Sequence, residues 1–279
     1  MTVLLRTIRS DGSHFSPGKA AMLLDQRRQN VLQLIEKEGF VSLKQIAELV
    51  TASESTVRRD LEFLEEIGQI RRTRGGASYV GESVSGLDER FTRNLPQKQA
   101  VGRAAAELIQ SGEAVMLDGG TTTLEVARHL EGKSLQVVTN SLPIVGLLAN
   151  QAQVELVMLG GYVYPKSGVA LGPLTIKALS EIHVRRLFIS VGGITERGLF
   201  NSNTLLVDTE RAMLAAAEEV IVVTDSSKLG HSALAHLCAL NRVQRVVVDA
   251  GITDEWRQLL EREGVAVTIA GTAEKQEES

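Results

Sequence analysis

Ser53-Glu54-Ser55-Thr56-Val57-Arg58-Arg59-Asp60-Leu61 reads as the start of a helix whose two faces carry different chemistry. Ser53 is an N-cap residue, and Glu54 in the first turn suits the positive end of the helix dipole. Val57, Leu61 and Leu64 stand at i, i+4 and i+7, so they share one face that packs inward. Ser55 and Arg59 point the other way, flanked by Thr56 and Arg58. Short hydroxyls and guanidinium groups near a helix N-terminus are what a recognition helix offers to the major groove of DNA. The bland alternative is a solvated helix face.

The flanking sequence favours DNA. Upstream, Ser42 and Gln45 form an S-x-x-Q capping box, and Leu43, Ile46, Ala47 and Val50 follow at helical spacing as a short supporting helix. Thr51 and Ala52 leave room for the turn between the two helices. Downstream, Ile70-Arg71-Arg72-Thr73-Arg74-Gly75-Gly76-Ala77 reads as a strand and a glycine-bent turn loaded with cations, a phosphate-gripping wing. Further upstream, Val31, Leu32 and Ile35 between Asp25 and Glu38, ended by Gly39, give a first helix. Residues 25–78 are therefore expected to form a winged helix-turn-helix domain. The candidate DNA-binding residues are Ser53, Ser55, Thr56, Arg58, Arg59, Arg71, Arg72 and Arg74. Residues 1–24 read as a flexible arm or an over-long start. Residues 79–90, with Gly81, Ser83, Ser85 and Gly86, read as the linker.

Beyond the linker the pattern changes. Apolar runs at Ala114 to Leu117, Val137-Val138, Val154 to Leu159, Leu187 to Val191, Val220 to Val223 and Val246 to Val248 alternate with helical stretches. That alternation predicts βαβ units and a mostly parallel sheet covered on both faces over residues 91–271, followed by a polar tail at 272–279. Ligands of such sheets bind at the carboxyl ends of the strands. Asp118-Gly119-Gly120-Thr121-Thr122-Thr123 sits at one of these ends, before a helix. Its glycines, free amides and hydroxyls suit a phosphate, although a tight βα turn with threonine caps is the alternative. Thr139-Asn140-Ser141, Gly160-Gly161 and Asp225-Ser226-Ser227-Lys228 end strands on the same side. Lys228 supplies a cation for an anionic ligand, and Asp118, Asn140 and Ser141 offer hydrogen bonds to sugar hydroxyls. Together they describe a sugar-phosphate pocket.

The run from Ser53 to Leu61, Leu64-Glu65 and Arg72-Thr73-Arg74-Gly75-Gly76-Ala77 resemble the DNA-binding signature of the DeoR/GlpR family, bacterial transcriptional regulators of sugar metabolism. The resemblance continues to about Asp249 through Asp-Gly-Gly-Thr-Thr-Thr, Thr-Asn-Ser and Ser-Lys. It implies an effector domain resembling pentose-phosphate isomerases that binds phosphorylated sugars, and a chain acting as a repressor. Lys98, at the entry to this domain's first helix, and Glu210-Arg211 also match family positions. The ligand set implied is Lys98, Asp118 to Thr123, Thr139, Asn140, Ser141, Gly160, Gly161, Glu210, Ser227 and Lys228. Tyr164 departs from the pattern, since the family often carries a basic residue shortly after Gly160-Gly161.

Composition sets the outer bounds. The chain has 279 residues, 43% of them hydrophobic, and a net charge of −4, so DNA affinity must come from the local arginine cluster and not from the average. No apolar run approaches the roughly 18 residues that span a bilayer, and a cytoplasmic protein is expected. Cys238 is the single cysteine and the five histidines show no ligand spacing, so no metal site and no cofactor are expected. The rival function is an isomerase. The paired aspartates of the Asp-Gly-Ala-Asp-Glu segment in those enzymes are replaced by Ser190-Val191-Gly192-Gly193-Ile194-Thr195-Glu196, so recognition without turnover is expected, with no catalytic residue. A third reading is an architectural DNA-binding protein that answers to no ligand. The expected partners are a double-stranded DNA operator and a phosphorylated sugar, with a homodimer or homotetramer matching operator symmetry.

Overall fold

The computed structural model describes residues 17–38, 40–66, 70–73, 75–79 and 87–271. Helix α1 spans Pro17–Glu38, so it starts well before Asp25. Ala20, Ala21, Met22, Leu23 and Leu24 are strong helix formers and carry the helix upstream into the expected arm. The short strand β1 (Phe40–Ser42) precedes α2 (Leu43–Leu49), whose expected capping box is formed. Gln45 N–H donates to Ser42 Oγ at 3.3 Å, and Ser42 N–H donates to Gln45 Oε1 at 3.0 Å. Thr51, at φ 50°, makes the left-handed turn into α3 (Glu54–Glu66). Strands β2 (Ile70–Thr73) and β3 (Gly76–Tyr79) form the wing hairpin, and β1 adds to β3 to complete a three-stranded antiparallel sheet. Val31, Ile35, Ile46, Val57, Leu61, Leu64 and Ile70 make one core between these elements.

The second domain opens with α4 (Leu87–Thr92), a helix that begins within the stretch expected to be linker and runs past its end; residues 80–86 of that linker lie outside the described residues. After α5 (Leu95–Glu107), seven parallel strands build the sheet: β4 (Ala114–Leu117), β5 (Leu135–Thr139), β6 (Val154–Met158), β9 (Val184–Ile189), β12 (Ala217–Thr224), β14 (Arg245–Asp249) and β15 (Ala266–Ala270). Sequence reading found six of them and missed β15. At the centre of the sheet both faces are buried, and the alternation of side chains shows it. Met116, Val220 and Val222 enter one apolar core, while Val115, Leu117, Ile221 and Val223 enter the other.

The spatial order is β15-β14-β12-β9-β4-β5-β6. Chain direction across the sheet thus reverses between β4 and β9, and the crevice at their carboxyl ends is the topological switch point where doubly wound folds hold ligands. Two smaller sheets close over that end. One is the hairpin of β7 (Tyr162–Tyr164) with β8 (Val169–Leu171), and the other joins β10 (Gly193–Thr195), β11 (Gly198–Asn201) and β13 (Ala235–Cys238).

Candidate functional site

The outer face of α3 presents Ser53, Ser55, Arg58 and Arg59 to solvent, with Thr56 half-buried, while Val57, Leu61 and Leu64 face the core. Thr56 N–H donates to Ser53 Oγ at 3.3 Å, which caps the helix. Arg58 reaches Glu54 at 3.8 Å in an exposed pair, leaving its guanidinium accessible. Asp60 on the inner side is buried and receives Arg27 Nε at 2.6 Å and Arg28 Nε at 3.2 Å, which ties α1 to α3 and fixes the angle of the recognition face. Sequence reading missed this clamp, because its partners are 33 and 32 residues apart.

The wing arginines separate. Arg72 Nε and Nη1 donate to Glu65 and Glu62 at 2.7 Å each, so this side chain is committed to holding the wing against α3. Those hydrogen bonds raise its already high pKa. The Arg71 side chain and Arg74 lie outside the described residues.

In the α/β domain the turn after β4 leads into α6 (Thr121–Arg128). Its glycines are required by packing. A Cβ on Gly119 would sit 1.8 Å from Val169 Cγ1, and one on Gly120 would sit 1.8 Å from Ser190 Oγ. The turn is thereby pressed against β8 and the end of β9. Gly120 N–H donates to Thr123 Oγ1 at 2.7 Å, so Thr123 acts as a cap, while Thr121 and Thr122 are buried in the first turn.

A cleft opens at the switch point. Asp118, Gly119, Ser190 and Val191 come from the strand ends, Arg90 from α4, Tyr164, Lys166 and Ser167 from the β7–β8 hairpin, and Asn201 to Asn203, Leu206 and Glu210 from β11 and α9 (Thr204–Ala215). The cleft is narrow, with a cavity volume of ≈ 30 Å³, and it is partly open to solvent. Two carboxylates form its floor. Burial pushes the Asp118 carboxyl up to about 6, against backbone N–H donors from Gly119 and Ser190 and the charge of Arg90, which favour ionisation. Glu210 is raised well above the usual carboxylate range, first by burial and then by the Asp118 charge, while its hydrogen bond from Asn201 Nδ2 at 2.6 Å opposes the rise. Asp118 Oδ1, Glu210 Oε2 and Ser167 Oγ are buried without a hydrogen-bond partner.

The other predicted ligand residues lie around this cleft in different roles. Thr139 Oγ1 donates to Leu117 O at 2.7 Å and Asn140 Nδ2 to Ala170 O at 3.0 Å. Ser141 caps α7 (Leu142–Leu148) through a bond from Ile144 N–H at 3.4 Å. Thr139 thus ties the β5 end to β4, Asn140 ties it to β8 and Ser141 serves the helix that follows, and Asn140 Oδ1 remains buried without a partner. Gly160 O accepts from Thr175 Oγ1 at 2.8 Å, with Gly161 beside it. Lys98 is buried in α5 and donates to Arg90 O at 2.7 Å. Ser227 and Lys228 belong to a one-turn 3₁₀ helix (Ser226–Lys228) after β12, and Lys228 is buried without lining the cleft. The cations that do line it, Arg90 and Lys166, escaped sequence reading. Arg90 was assigned to the linker, and Lys166 gains its place only through the β7–β8 hairpin. Glu196 is exposed in the β10–β11 turn, away from the cleft, and burial pushes the Cys238 thiol up to about 11, which removes it as a nucleophile at neutral pH.

A helix-turn-helix with an arginine-bearing outer face, followed by a doubly wound domain with a polar cleft at its switch point, defines a DNA-binding protein with a second, cleft-bearing domain. The family model of the DeoR-like helix-turn-helix domain matches residues 27–83, and that of the DeoR C terminal sensor domain matches residues 93–250, more than half of the chain. The putative aga operon transcriptional repressor of Escherichia coli O157:H7 is 34% identical over 253 residues, covering 88% of this chain and 94% of the relative. The HTH-type transcriptional repressor GlcR of Bacillus subtilis (strain 168) is 32% identical over 250 residues, covering 89% and 97%. This chain belongs to the DeoR family of transcriptional regulators. Among solved structures, ribose 5-phosphate isomerase A from Methanocaldococcus jannaschii overlaps 49% of this chain and 55% of its own length at 21% identity, with a TM-score of 0.37. An overlap that partial does not bear on the chemistry of the cleft. Among the described residues no helix is long and apolar enough to cross a membrane.

Proposed function

We propose that this regulator represses a sugar-utilisation operon and that a phosphorylated sugar in the cleft sets its affinity for operator DNA. The observation that carries the reading is the pair of buried carboxyl oxygens, Asp118 Oδ1 and Glu210 Oε2, left without hydrogen-bond partners in a cleft that Arg90 and Lys166 also line. Buried polar atoms without partners cost free energy, and a polyhydroxylated ligand bearing an anion supplies both kinds of missing contact. The first-turn amides of α6 at Thr121 and Thr122, which no intrahelical carbonyl reaches, are donors available to an anion on the β4 side of the switch point, while Ser227 and Lys228 stand at the end of β12, outside the cleft lining. Thr139, Asn140, Ser141, Gly160 and Gly161 shape the pocket from behind. On the DNA side, Ser53, Ser55, Thr56, Arg58 and Arg59 read the major groove, Arg71 and Arg74 grip phosphate, and Arg72 positions the wing.

Operator symmetry calls for at least two copies, as a homodimer or homotetramer, and the protein works in the cytoplasm. Both relatives named above are called repressors, in keeping with recognition without turnover. One feature favours a second reading: two buried carboxylates whose acidities are driven apart are also what acid-base catalysis uses. Isothermal titration of the purified chain with pentose and hexose phosphates, followed by an isomerisation assay on any that bind, separates the two. We expect binding by at least one phosphorylated sugar, weakened in Lys166→Ala, with no product formed. Absence of binding across the panel removes the effector reading, and turnover replaces it with the enzymatic one.

A further inference from the structure

The chain enters the α/β domain through residues that grip the cleft and its neighbouring turn together. Arg90 lines the cleft beside Asp118, and its backbone oxygen is held by Lys98 Nζ at 2.7 Å. Asn94 lies just beyond, at φ 53°, a left-handed conformation that asparagine tolerates better than most residues. Its amide Nδ2 reaches across 131 residues of sequence to Asp225 Oδ1 at 3.1 Å and also to Ser227 Oγ at 3.2 Å. Asp225 in turn accepts from Ser227 N–H at 3.2 Å and from the Ser227 hydroxyl, and this shapes the 3₁₀ turn that ends in Lys228. The first stretch of the α/β domain is therefore fastened at two points, to the cleft by Arg90 and to the Ser226–Lys228 turn by Asn94.

We infer that Asn94 is a latch through which occupancy of the cleft is transmitted to the polypeptide leading to the DNA-binding domain. The inference rests on the reading of the cleft as the effector site. An anion that reaches Ser227 and Lys228 takes the hydroxyl hydrogen that Asp225 now accepts and so reorganises the Asp225–Ser227 pair that the Asn94 amide grips, and a ligand on Asp118 competes with Arg90 for the same carboxylate. Both events loosen the stretch from Arg90 to Lys98, and linkage requires operator DNA to act on that stretch in return.

That reciprocity allows a test without knowing the ligand. An operator is first selected from a random duplex library with the full-length chain. Hydrogen exchange of residues 90–98 is then compared with and without that duplex, and operator affinity is measured for Asn94→Gly, which keeps the left-handed backbone, and for Asn94→Asp, which sets a second carboxylate against Asp225. We expect exchange in the segment to change at least about threefold on DNA binding, and both variants to shift operator Kd by about threefold or more, the size set by one or two hydrogen bonds. Unchanged exchange in the wild type, or wild-type operator affinity in both variants, overturns the latch. A panel of sugar phosphates that leaves wild-type operator affinity untouched while the exchange difference persists removes the effector reading and leaves the latch standing.

Discussion

Replacing Asp118 by Asn should make the α/β domain more stable, and increasingly so as pH rises. In the unfolded chain the carboxyl ionises around its ordinary value of 3.8, whereas burial delays ionisation in the folded protein to about 6. Between those values the unfolded chain binds fewer protons than the folded one, so stability falls as pH rises and the whole penalty is present above about pH 6. A rise from 3.8 to about 6 corresponds to about 3 kcal/mol at neutral pH, and to only about 1 kcal/mol near pH 4.5. Asn carries no such penalty. It keeps a single acceptor oxygen for the Gly119 and Ser190 amides, which offsets the gain by about 1 kcal/mol at every pH. The variant should therefore be about as stable as wild type near pH 4.5 and about 2 kcal/mol more stable near pH 8. Loss of the Asp118 charge also relieves Glu210, in the same direction. Trp256, the single tryptophan, packs against the core of this domain, so urea unfolding followed by its fluorescence reads the domain directly. A stability difference that is flat across this pH range, or that turns against the variant as pH rises, refutes the burial argument.

Other substitutions probe separate links. Asp60→Ala should cost about 3 kcal/mol, because it strands Arg27 and Arg28 beside a buried site, and circular dichroism should show early loss of helix while the Trp256 transition stays in place. Arg59→Ala should weaken operator binding by about 1–3 kcal/mol with the fold intact, as expected for a base contact; unchanged affinity in an anisotropy titration removes Arg59 from that role. Gly120→Ala should lower thermal stability by about 1–3 kcal/mol, since its Cβ would sit 1.8 Å from Ser190 Oγ, and a neutral result means the turn has room to move.

Much of this architecture was legible in the sequence because it is written in local periodicity. The i, i+4, i+7 spacing of Val57, Leu61 and Leu64 fixed the inner face of α3, and apolar runs between helical stretches fixed the parallel sheet. What escaped depends on contacts distant in sequence. Strands β7, β8, β10 and β11 are three or four residues long, too short for a period-2 signal, yet they carry Tyr164, Lys166 and Asn201 to the cleft. β15 was missed although its Ala266-Val267-Thr268-Ile269 run is β-prone, because it is half exposed at the sheet edge. Arg90 sat among polar and small residues that read as linker, and only the fold places it beside Asp118. The residues that sequence did name were recognised by type, but type does not reveal partners: Arg72 is taken up by two glutamates, Thr139 bonds to the end of β4, and Ser141 caps the helix that follows it.

The most direct test of the central claim is a fluorescence-anisotropy titration of the full-length chain against its selected operator at one stated salt concentration, repeated with each member of a sugar-phosphate panel. Salt must be fixed because phosphate contacts make affinity fall steeply with ionic strength. Tight, sequence-selective binding is expected, and one phosphorylated sugar should shift it by about 5- to 150-fold, the usual range for coupled sites. Selective binding that no member of the panel alters would contradict the claim.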